Sequence, residues 1–422
     1  MDRLRIQGPN RLHGSVRAAG AKNAALPEMA ACLLTEEPLI LDHLPAVRDI
    51  RTMQRLLEHL GVACTDSDSG LVLEASGAPP TDDAPYDLVK QMRASVLVLG
   101  PLLARLGHAR VSLPGGCAIG VRPIDQHLAG LEALGAEVTL EHGYVTARAR
   151  RLVGARYRFT VPTVGGTENL LMAACLAHGT TVLENCAREP EIVDLARLLT
   201  TMGGRIVGAG DETIEIEGVD SLAGARHRVI PDRIEGGTYL VAAALTGGEV
   251  RLEATCPDHL APLLEKLSES GCRIDITEDR IDLRRDEELR PRSIVTAPHP
   301  GFPTDLQAQY MVLMTQAHGS STICERVFEN RFQHVPELAR MGADIQVDGS
   351  DAVIHGPTAL SGAAVMATDL RASACLVLAG LVATGETVVD RIYHLDRGYS
   401  RMEGKLRSLG ARIERLRSTP QR

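Results

Sequence analysis

Six glycines, each at the end of an amphipathic helical stretch, recur at nearly constant intervals along the chain. Successive members are 68 to 74 residues apart, and they follow the segments LLEHL, GLEAL, LLTTM, KLSES, ELARM and KLRSL. The six residues are Gly61, Gly135, Gly203, Gly271, Gly342 and Gly410. Glycine is the usual residue after a helix because it takes the left-handed backbone conformation that ends one. A repeat of about 70 residues, longer than common solenoid repeats, therefore constrains the fold more than any single motif.

The residues around each glycine follow a common pattern. After the first five glycines come two alternating runs separated by a polar turn, as in CRIDITEDRIDL at 272–283, which predicts a β-hairpin. Before each helix stands a phrase such as LAHGTTVLENC at 176–186, in which a helix end, a turn and a β-branched strand follow one another. Each unit is predicted as strand, helix, hairpin and helix, and six such units make an α/β protein that uses the whole chain.

Composition excludes several classes of protein. The chain has 422 residues, a formal charge of −9 and only 3% aromatic residues, so neither a basic face nor a stacking platform for nucleic acid is expected. The start, MDRLRIQGPN, has no apolar core of a signal peptide, and the longest apolar runs are too short to span a membrane. We expect a cytoplasmic protein without membrane insertion; the sequence does not indicate its oligomeric state.

The nine cysteines include no C-x-x-C pair and no cysteine–histidine cluster at zinc spacing. This usage is typical of reduced thiols in the cytosol. Eight of them are predicted as core residues, among them Cys175, Cys324 and Cys375.

The ninth, Cys117, lies in SLPGGCAIGVRP at 112–123. The glycines around it predict a loop, and a nearby guanidinium, Arg122, favours the reactive thiolate. The alternative is a small apolar residue in a turn.

Three further stretches stand apart from the repeat. In GAKNAALP at 20–27, Lys22 is followed by Asn23 at a helix start, where a positive charge opposes the helix dipole. This favours anion binding, with a solvated surface lysine as the alternative. In PHPGFPTDLQAQ at 298–309, Asp305 precedes a predicted helix and serves either as its N-cap or as a functional carboxylate.

The third stretch is rich in arginine, and two further arginines outside it are also candidates. DRIYHLDRGYSRMEGKL at 390–406 carries Arg391, Arg397 and Arg401, while Arg371 and Arg93 lie in LRAS and MRAS. Fixed guanidiniums bind phosphate and carboxylate, a carboxylate supplies a base, and a thiol supplies an acid or a covalent partner. Nucleotide-cradling glycine motifs, HExxH and Asp-rich metal loops are absent from the sequence, so we expect no cofactor and no catalytic metal.

With these residues the chain resembles the UDP-N-acetylglucosamine 1-carboxyvinyltransferase family of enolpyruvyl transferases. The likeness runs from RIQGP at 5–9 through AREPEIVD at 187–194 and PDRIE at 231–235 to RIYHLDRGY at 391–399, and LPGGCAIGVRP and PTDLQAQ are specific to this family. It implies an inside-out α/β barrel with pseudo-sixfold repetition, helices inside, and two domains of three units each. These would be 21–229, and 1–20 with 230–422, with the active site in the cleft between them.

The resemblance also implies roles for single residues. Phosphoenolpyruvate would be held by Lys22, Arg122, Arg371 and Arg397. The residues expected to contact UDP-N-acetylglucosamine are Asn23, Arg93, Arg122, Pro123, Ile124, Asp125, Gln126, Thr163, Val164, Gly165, Asp305 and Val327. Asp305 would take the proton of the sugar 3′-hydroxyl, and Cys117 would protonate C3 of the enolpyruvate or trap the substrate covalently, with Lys22 and Arg397 completing the catalytic set.

The implied reaction passes through a tetrahedral ketal, releases phosphate, and begins peptidoglycan precursor synthesis, with Cys117 as the target of fosfomycin. One departure is Val161, where some members carry a lysine. The alternatives are an enolpyruvyl transferase for another acceptor, such as shikimate 3-phosphate, and a regulatory paralogue that binds UDP-N-acetylglucosamine without turnover. The presence of Lys22, Cys117 and Arg397 disfavours the paralogue.

Overall fold

The computed structural model describes residues 2–77, 81, 83–90, 92–113 and 124–417. Within these residues, 24 strands pair into six sheets of four strands each. The strands are β1 (Arg3–Gly8), β2 (His13–Arg17), β3 (Leu39–Asp42), β4 (Ala63–Ser67), β5 (Gly70–Glu74), β6 (Asp83–Ala84), β7 (His108–Ser112), β8 (Glu137–Glu141), β9 (Tyr144–Arg148), β10 (Arg156–Arg158), β11 (Thr180–Glu184), β12 (Arg205–Val207), β13 (Thr213–Glu217), β14 (Ala225–Arg228), β15 (Glu249–Glu253), β16 (Arg273–Thr277), β17 (Arg280–Arg284), β18 (Ile294–Val295), β19 (Gly319–Cys324), β20 (Asp344–Asp348), β21 (Asp351–Gly356), β22 (Ala364–Met366), β23 (Gly385–Asp390) and β24 (Ile413–Leu416).

The same residues form 13 α-helices. They are α1 (Lys22–Ala31), α2 (Arg48–His59), α3 (Tyr86–Val89), α4 (Leu99–Leu106), α5 (Asp125–Ala133), α6 (Val164–Ala174), α7 (Pro190–Thr201), α8 (Arg233–Thr246), α9 (Ala261–Glu269), α10 (Gln307–Met314), α11 (Val335–Arg340), α12 (Leu370–Val382) and α13 (Met402–Ser408). Short 3-10 helices lie at Cys32–Leu34, Arg93–Val98, Pro257–Leu260, Thr304–Leu306 and Leu395–Arg397.

The predicted sixfold repeat is confirmed. The helices α2, α5, α7, α9, α11 and α13 are each followed by one of the six recurring glycines, and all six glycines have a φ between 86° and 105°. In five sheets the predicted hairpin, such as β16–β17 or β12–β13, pairs antiparallel with the strand that precedes the helix. Each unit also contains a strand that the sequence pattern did not predict: a short strand that joins the sheet in parallel, such as β10 beside β11.

The sixth sheet is completed from the other end of the chain. Among the described residues after Gly410, up to residue 417, there is no hairpin; instead β24 pairs with β1, which in turn pairs with β23. The next N-terminal strand, β2, is the parallel strand of the sheet that contains β15. The N-terminal residues thereby belong to the same body as the C-terminal units.

The second helix of each unit is buried on nearly all sides. In α12 every residue from Arg371 to Leu381 is buried, and α8 and α10 are buried in the same way. A helix that is apolar all round lies in a core rather than on a surface. The helices α8, α10 and α12 pack against one another, as do α1, α6 and α4 with its preceding 3-10 helix. Sheets and amphipathic helices surround these inner helices, as the inside-out arrangement requires.

The chain divides into two compact units. The C-terminal unit contains residues 2–19 and 231–417, and the N-terminal unit contains the described residues within 20–113 and 124–230. Each unit has its own hydrophobic core and three of the sheets. The domains 21–229 and 1–20 with 230–422 stay a prediction, because a compact unit need not fold independently. Within the described ranges, the helices fall short of the length and apolarity that crossing a bilayer requires.

Candidate active site

The inner helices begin at the residues that the sequence analysis singled out. Lys22 is the first residue of α1, Arg93 begins the 3-10 helix before α4, and Val164 begins α6. In the C-terminal unit, Asp305 lies in the 3-10 helix that leads into α10, and Arg371 is the second residue of α12. Backbone N–H groups at a helix start lack intrahelical partners and attract anions. The repeat therefore places predicted site residues at the starts of its inner helices.

In the C-terminal unit, Asp305 lies between two buried arginines. One carboxylate oxygen, Oδ1, is 2.6 Å from Nη2 of Arg331, and Oδ2 is 2.8 Å from Nη2 of Arg371. The arginine side chains are 3% and 6% exposed, whereas the Asp305 side chain is 27% exposed. The Asp305 carboxylate is thus the most accessible member of a group whose two cations are almost fully enclosed.

The N-cap interpretation of Asp305 is wrong. The other two inner helices of this unit are capped in that way: Asp232 accepts hydrogen bonds from the N–H groups of Ile234 and Glu235, and Asp369 accepts them from Arg371 and Ala372. The side chain of Asp305 makes no such cap and is directed to the arginines instead.

The two arginines determine the charge of Asp305. Burial raises the pKa of its carboxyl, but the charges of Arg371 and then Arg331 outweigh this effect and hold the pKa well below its usual range. An ionised carboxylate with so low a pKa is a weak base. Proton uptake by Asp305 therefore requires that one of the guanidiniums leaves it.

Arg371 and Arg397 belong to neighbouring segments. The Arg371 guanidinium lies 5.5 Å from the ring of Tyr399, whose hydroxyl is 2.9 Å from Thr238 Oγ1. A Cβ atom on Gly398 would lie 2.7 Å from the Leu370 side chain, so the segment after Arg397 packs closely on the start of α12.

The backbone around Arg397 is unusual. Arg391 and Arg401, on either side of it, have φ values of 59° and 48°. Non-glycine residues in this left-handed region store local strain, a frequent property of ligand-binding segments.

Glu325, which the sequence analysis did not single out, organises the loop that carries Val327. Its Oε1 atom accepts hydrogen bonds from the N–H groups of Val327 and Phe328 at 2.9 and 3.1 Å, and its Oε2 accepts one from Thr304 Oγ1 at 2.8 Å. Thr304 immediately precedes Asp305. Val327 and Asp305 are therefore held near each other by one buried carboxylate.

In the N-terminal unit, Lys22 is 9% exposed, so the surface-lysine interpretation is wrong. Its Nζ atom lies 3.2 Å from Oδ2 of Asp49 on α2. A buried cation at a helix N-terminus is unfavourable without a nearby anion. Asp49, which the sequence analysis missed, supplies one. Asn23, the next residue of α1, is half-buried.

A second group of predicted residues in this unit surrounds His127. Burial and, to a smaller extent, the positive charge of Arg93 lower the pKa of His127 to about 4, although the charge of Asp125 acts in the opposite direction. Its ring is therefore neutral near pH 7. A Cβ atom on Gly165 would lie 3.3 Å from Cε1 of this ring, and Asn169 Nδ2 is 3.0 Å from Nδ1. The starts of α5 and α6 and the residue Arg93 therefore meet around one uncharged imidazole.

Two of the neighbouring predicted residues, Gln126 and Thr163, accept hydrogen bonds from backbone N–H groups. Oε1 of Gln126 accepts hydrogen bonds from the backbone N–H of Thr160 at 2.7 Å and of Val161 at 3.4 Å, and Thr163 caps α6 by accepting one from Gly166. Val161 itself is 59% exposed. Ile124 is buried at the start of α5.

Cys117, Arg122 and Pro123 lie outside the described residues. The other eight cysteines are free thiols, of which five are buried. The prediction of a core position is wrong for Cys64, Cys256 and Cys324, which are only partly buried. Cys324 lies at the end of β19, where fully and partly buried residues alternate.

One further group of ionisable residues lies apart from these. Glu28, Asp194 and His227 of the N-terminal unit bring their side-chain donor atoms within 4.8 Å of one another. They come from three distant segments, so no local pattern predicts the group.

Comparison with known proteins shows which proteins the whole chain is similar to. The family model for EPSP synthase (3-phosphoshikimate 1-carboxyvinyltransferase) matches residues 6–406. The UDP-N-acetylglucosamine 1-carboxyvinyltransferase of Koribacter versatilis is 56% identical and aligns over 99% of this chain and 97% of its own length. The proteins of the same name from Gluconacetobacter diazotrophicus and Magnetococcus marinus are each 57% identical over 99% of this chain and 100% of their own.

Solved structures share the fold. The enolpyruvyl transferase NikO from Streptomyces tendae superposes with a TM-score of 0.89 and 28% identity over 99% of both chains. The EPSP synthase from Acinetobacter baumannii has a TM-score of 0.75 and 19% identity over 99% of this chain and 100% of its own, which shows the fold alone. The inside-out α/β barrel fold expected from the sequence is thereby confirmed.

Proposed function

This chain belongs to the EPSP synthase family and, within it, to the UDP-N-acetylglucosamine 1-carboxyvinyltransferases. From this premise we propose that it transfers the enolpyruvyl group of phosphoenolpyruvate to the 3′-hydroxyl of UDP-N-acetylglucosamine and releases phosphate. The choice of acceptor is supported by relatives of 56–57% identity that carry this name over almost their whole length. The product enters peptidoglycan precursor synthesis in the cytoplasm, and through it cell-wall growth and division.

The observation that carries the mechanism is the Asp305 carboxylate held by Arg331 and Arg371 at 2.6 and 2.8 Å. Phosphoenolpyruvate brings a phosphate and a carboxylate, the two anions that guanidiniums bind best. Arg371, together with Arg397, Lys22 and Arg122, would bind them. When Arg371 turns from Asp305 to the substrate, the pKa of Asp305 rises because one of its two positive neighbours is lost.

Asp305 is then able to act on the acceptor. It takes the proton of the 3′-hydroxyl while the hydroxyl oxygen forms a bond to C2 of the enolpyruvate, and the Cys117 thiol donates a proton to C3. The thiolate left at Cys117 takes a proton back from C3 of the resulting ketal while the bond between C2 and the phosphate oxygen breaks, which restores the double bond and releases phosphate. Fixed guanidiniums stabilise the charge on phosphate throughout.

The nucleotide sugar would meet the group around His127. A neutral imidazole, the starts of α5 and α6, and Arg93 combine donors for a diphosphate with an uncharged surface for the sugar or base. Asn23, Ile124, Asp125, Gln126, Thr163, Val164, Gly165 and Val327 are the remaining proposed contacts, together with Pro123.

The test is phosphate release from phosphoenolpyruvate with either UDP-N-acetylglucosamine or shikimate 3-phosphate as acceptor. We expect release only with the nucleotide sugar, and a fall of about 10²- to 10⁴-fold in kcat in Asp305→Asn, the range for loss of a positioned general base. Asp282 offers a matched control because it also lies between two arginines, at 2.7 Å from Arg251 and 2.8 Å from Arg280, on an outer sheet strand.

The outcomes separate the alternatives. Asp282→Asn should leave kcat unchanged, and Cys117→Ser should reduce or abolish release. Release with shikimate 3-phosphate would contradict the proposed acceptor. Release with neither acceptor, but binding of UDP-N-acetylglucosamine, would identify the regulatory paralogue instead.

A further inference from the structure

The group of Glu28, Asp194 and His227 lies inside the N-terminal unit, on α1, α7 and β14. Nε2 of His227 is 3.1 Å from Oδ1 of Asp194 and 3.6 Å from Oε1 of Glu28. The two carboxylate side chains are 2% and 0% exposed, and the histidine side chain is 12% exposed. One nitrogen and two carboxylates thus converge on a single small volume, with the histidine as the most exposed of the three side chains.

Glu28 is the unusual member. Neither of its carboxylate oxygens has a hydrogen-bond partner among the described residues, although the side chain is fully enclosed. Buried carboxylates normally accept several hydrogen bonds, because an unsatisfied buried polar atom is costly. One of these oxygens lies within 4.8 Å of a carboxylate oxygen of Asp194 and of a ring nitrogen of His227.

We propose that Glu28, Asp194 and His227 form a structural site for a divalent transition-metal ion, with Zn²⁺ as the preferred metal. Ligand atoms about 2.0–2.2 Å from a tetrahedral zinc ion lie about 3.3–3.6 Å from one another. The 3.6 Å separation of Nε2 of His227 from Oε1 of Glu28 falls within this range, and the 3.1 Å hydrogen-bond distance between Nε2 and Oδ1 of Asp194 is slightly shorter. The second oxygen of Glu28, or a water molecule at the exposed edge of His227, completes the coordination.

The donor set suits the ion in charge and in kind. Two carboxylates and a neutral imidazole neutralise a divalent cation, so the buried group carries no net charge when loaded. Imidazole with carboxylate favours zinc over the alkaline-earth ions, which prefer oxygen donors alone. The second oxygen of Asp194 accepts a hydrogen bond from the N–H of Ile230 at 3.0 Å, the kind of outer contact that orients a metal ligand.

A bound ion would join three segments that are far apart in the chain. It would fix α1, whose first residue is Lys22, to α7 and to the strand that leads to Ile230. The site lies apart from the proposed chemistry, so its role is to stabilise the N-terminal unit, and its occupancy can be tested without measuring turnover.

The experiment is a titration of chelator-treated full-length protein with Zn²⁺, followed by calorimetry and by the unfolding midpoint Tm. We expect one tight site per chain and a rise in Tm of about 5 °C or more when free Zn²⁺ exceeds the dissociation constant a hundredfold. The tight site and the rise in Tm should be lost in Glu28→Gln and in His227→Gln. They should persist in His355→Gln, which removes an imidazole on a strand of the other unit.

Co²⁺ provides a second measurement, because its absorption spectrum distinguishes nitrogen and oxygen ligands from the thiolates of the free cysteines. Failure of the unaltered protein to bind Zn²⁺ at micromolar concentration would overturn the proposal, even if a variant did not fold. So would a tight site that survives both substitutions or whose cobalt spectrum shows thiolate ligation.

Discussion

Replacement of Asp305 by asparagine removes the only anion that the structure describes between the buried guanidiniums of Arg331 and Arg371. Asparagine keeps the shape and one acceptor oxygen, so we take the lower end of the cost of breaking a buried ion pair, about 3 kcal/mol. For a unit of this size, each kcal/mol lowers Tm by about 2–4 °C, so Tm should fall by about 6–12 °C. In Asp282→Asn, where both arginines are well exposed, the fall should be less than about a third as large.

Differential scanning calorimetry in a buffer free of phosphate and sulfate measures both shifts. Adding inorganic phosphate should then restore much of the lost Tm in Asp305→Asn, because a dianion can bridge the two guanidiniums, and it should do so far less in Asp282→Asn. The depressed pKa of Asp305 also sets the pH dependence: its contribution is complete above its unfolded-state pKa of about 3.9 and is lost only as the pH falls through the lower folded-state value.

The difference in Tm between the unaltered protein and Asp305→Asn should consequently be constant from pH 6 to about pH 9. Equal shifts in the two variants, or an increase in Tm on Asp305→Asn, would refute the argument that the enclosed arginines depend on this carboxylate.

Three other predictions concern the N-terminal unit and the loop of Cys117. Val161→Lys should lower KM for UDP-N-acetylglucosamine at low ionic strength and lose this effect in 0.5 M salt, whereas lysine at Val207, which is 73% exposed against 59% for Val161, should leave KM unchanged; a KM unchanged by Val161→Lys at low salt would contradict a nearby diphosphate. Because the folded-state pKa of His127 is about 4, the unfolded chain binds a proton that the folded chain does not, and stability should fall by up to about 1.4 kcal/mol per pH unit between pH 6.5 and 4. His127→Gln should flatten a plot of Tm against pH in that range, and an unchanged slope would mean that the histidine is not buried in its neutral form. Fosfomycin should inactivate the protein through an adduct on Cys117 that mass spectrometry detects, and Cys117→Asp should stay active in its presence. An adduct on another residue would show that Cys117 is not the reactive thiol.

Short-range sequence patterns were sufficient to predict the repeat. Residues within a few positions of one another determine where the six helices end, where the five hairpins form and which loops lead into the inner helices. Glycine after a helix and alternation in a strand are local effects, and they persist in any tertiary context that keeps the element. For the same reason Lys22 and Asp305 were predicted at helix starts from the sequence.

Contacts between distant segments required the tertiary structure. Asp305 is paired with Arg331 and Arg371, 26 and 66 residues away, and the sequence indicated neither pairing. Nothing in the sequence around Arg331 distinguishes it from a surface residue. The same holds for Asp49 beside Lys22, and for the pairing of β24 with β1 from opposite ends of the chain. Packing of the inner helices decides which side chains are enclosed together, and enclosure rather than residue type sets the charge and pKa of each group. The sequence by itself determined the units and the residues at their starts; only the assembled units decided the partners of those residues.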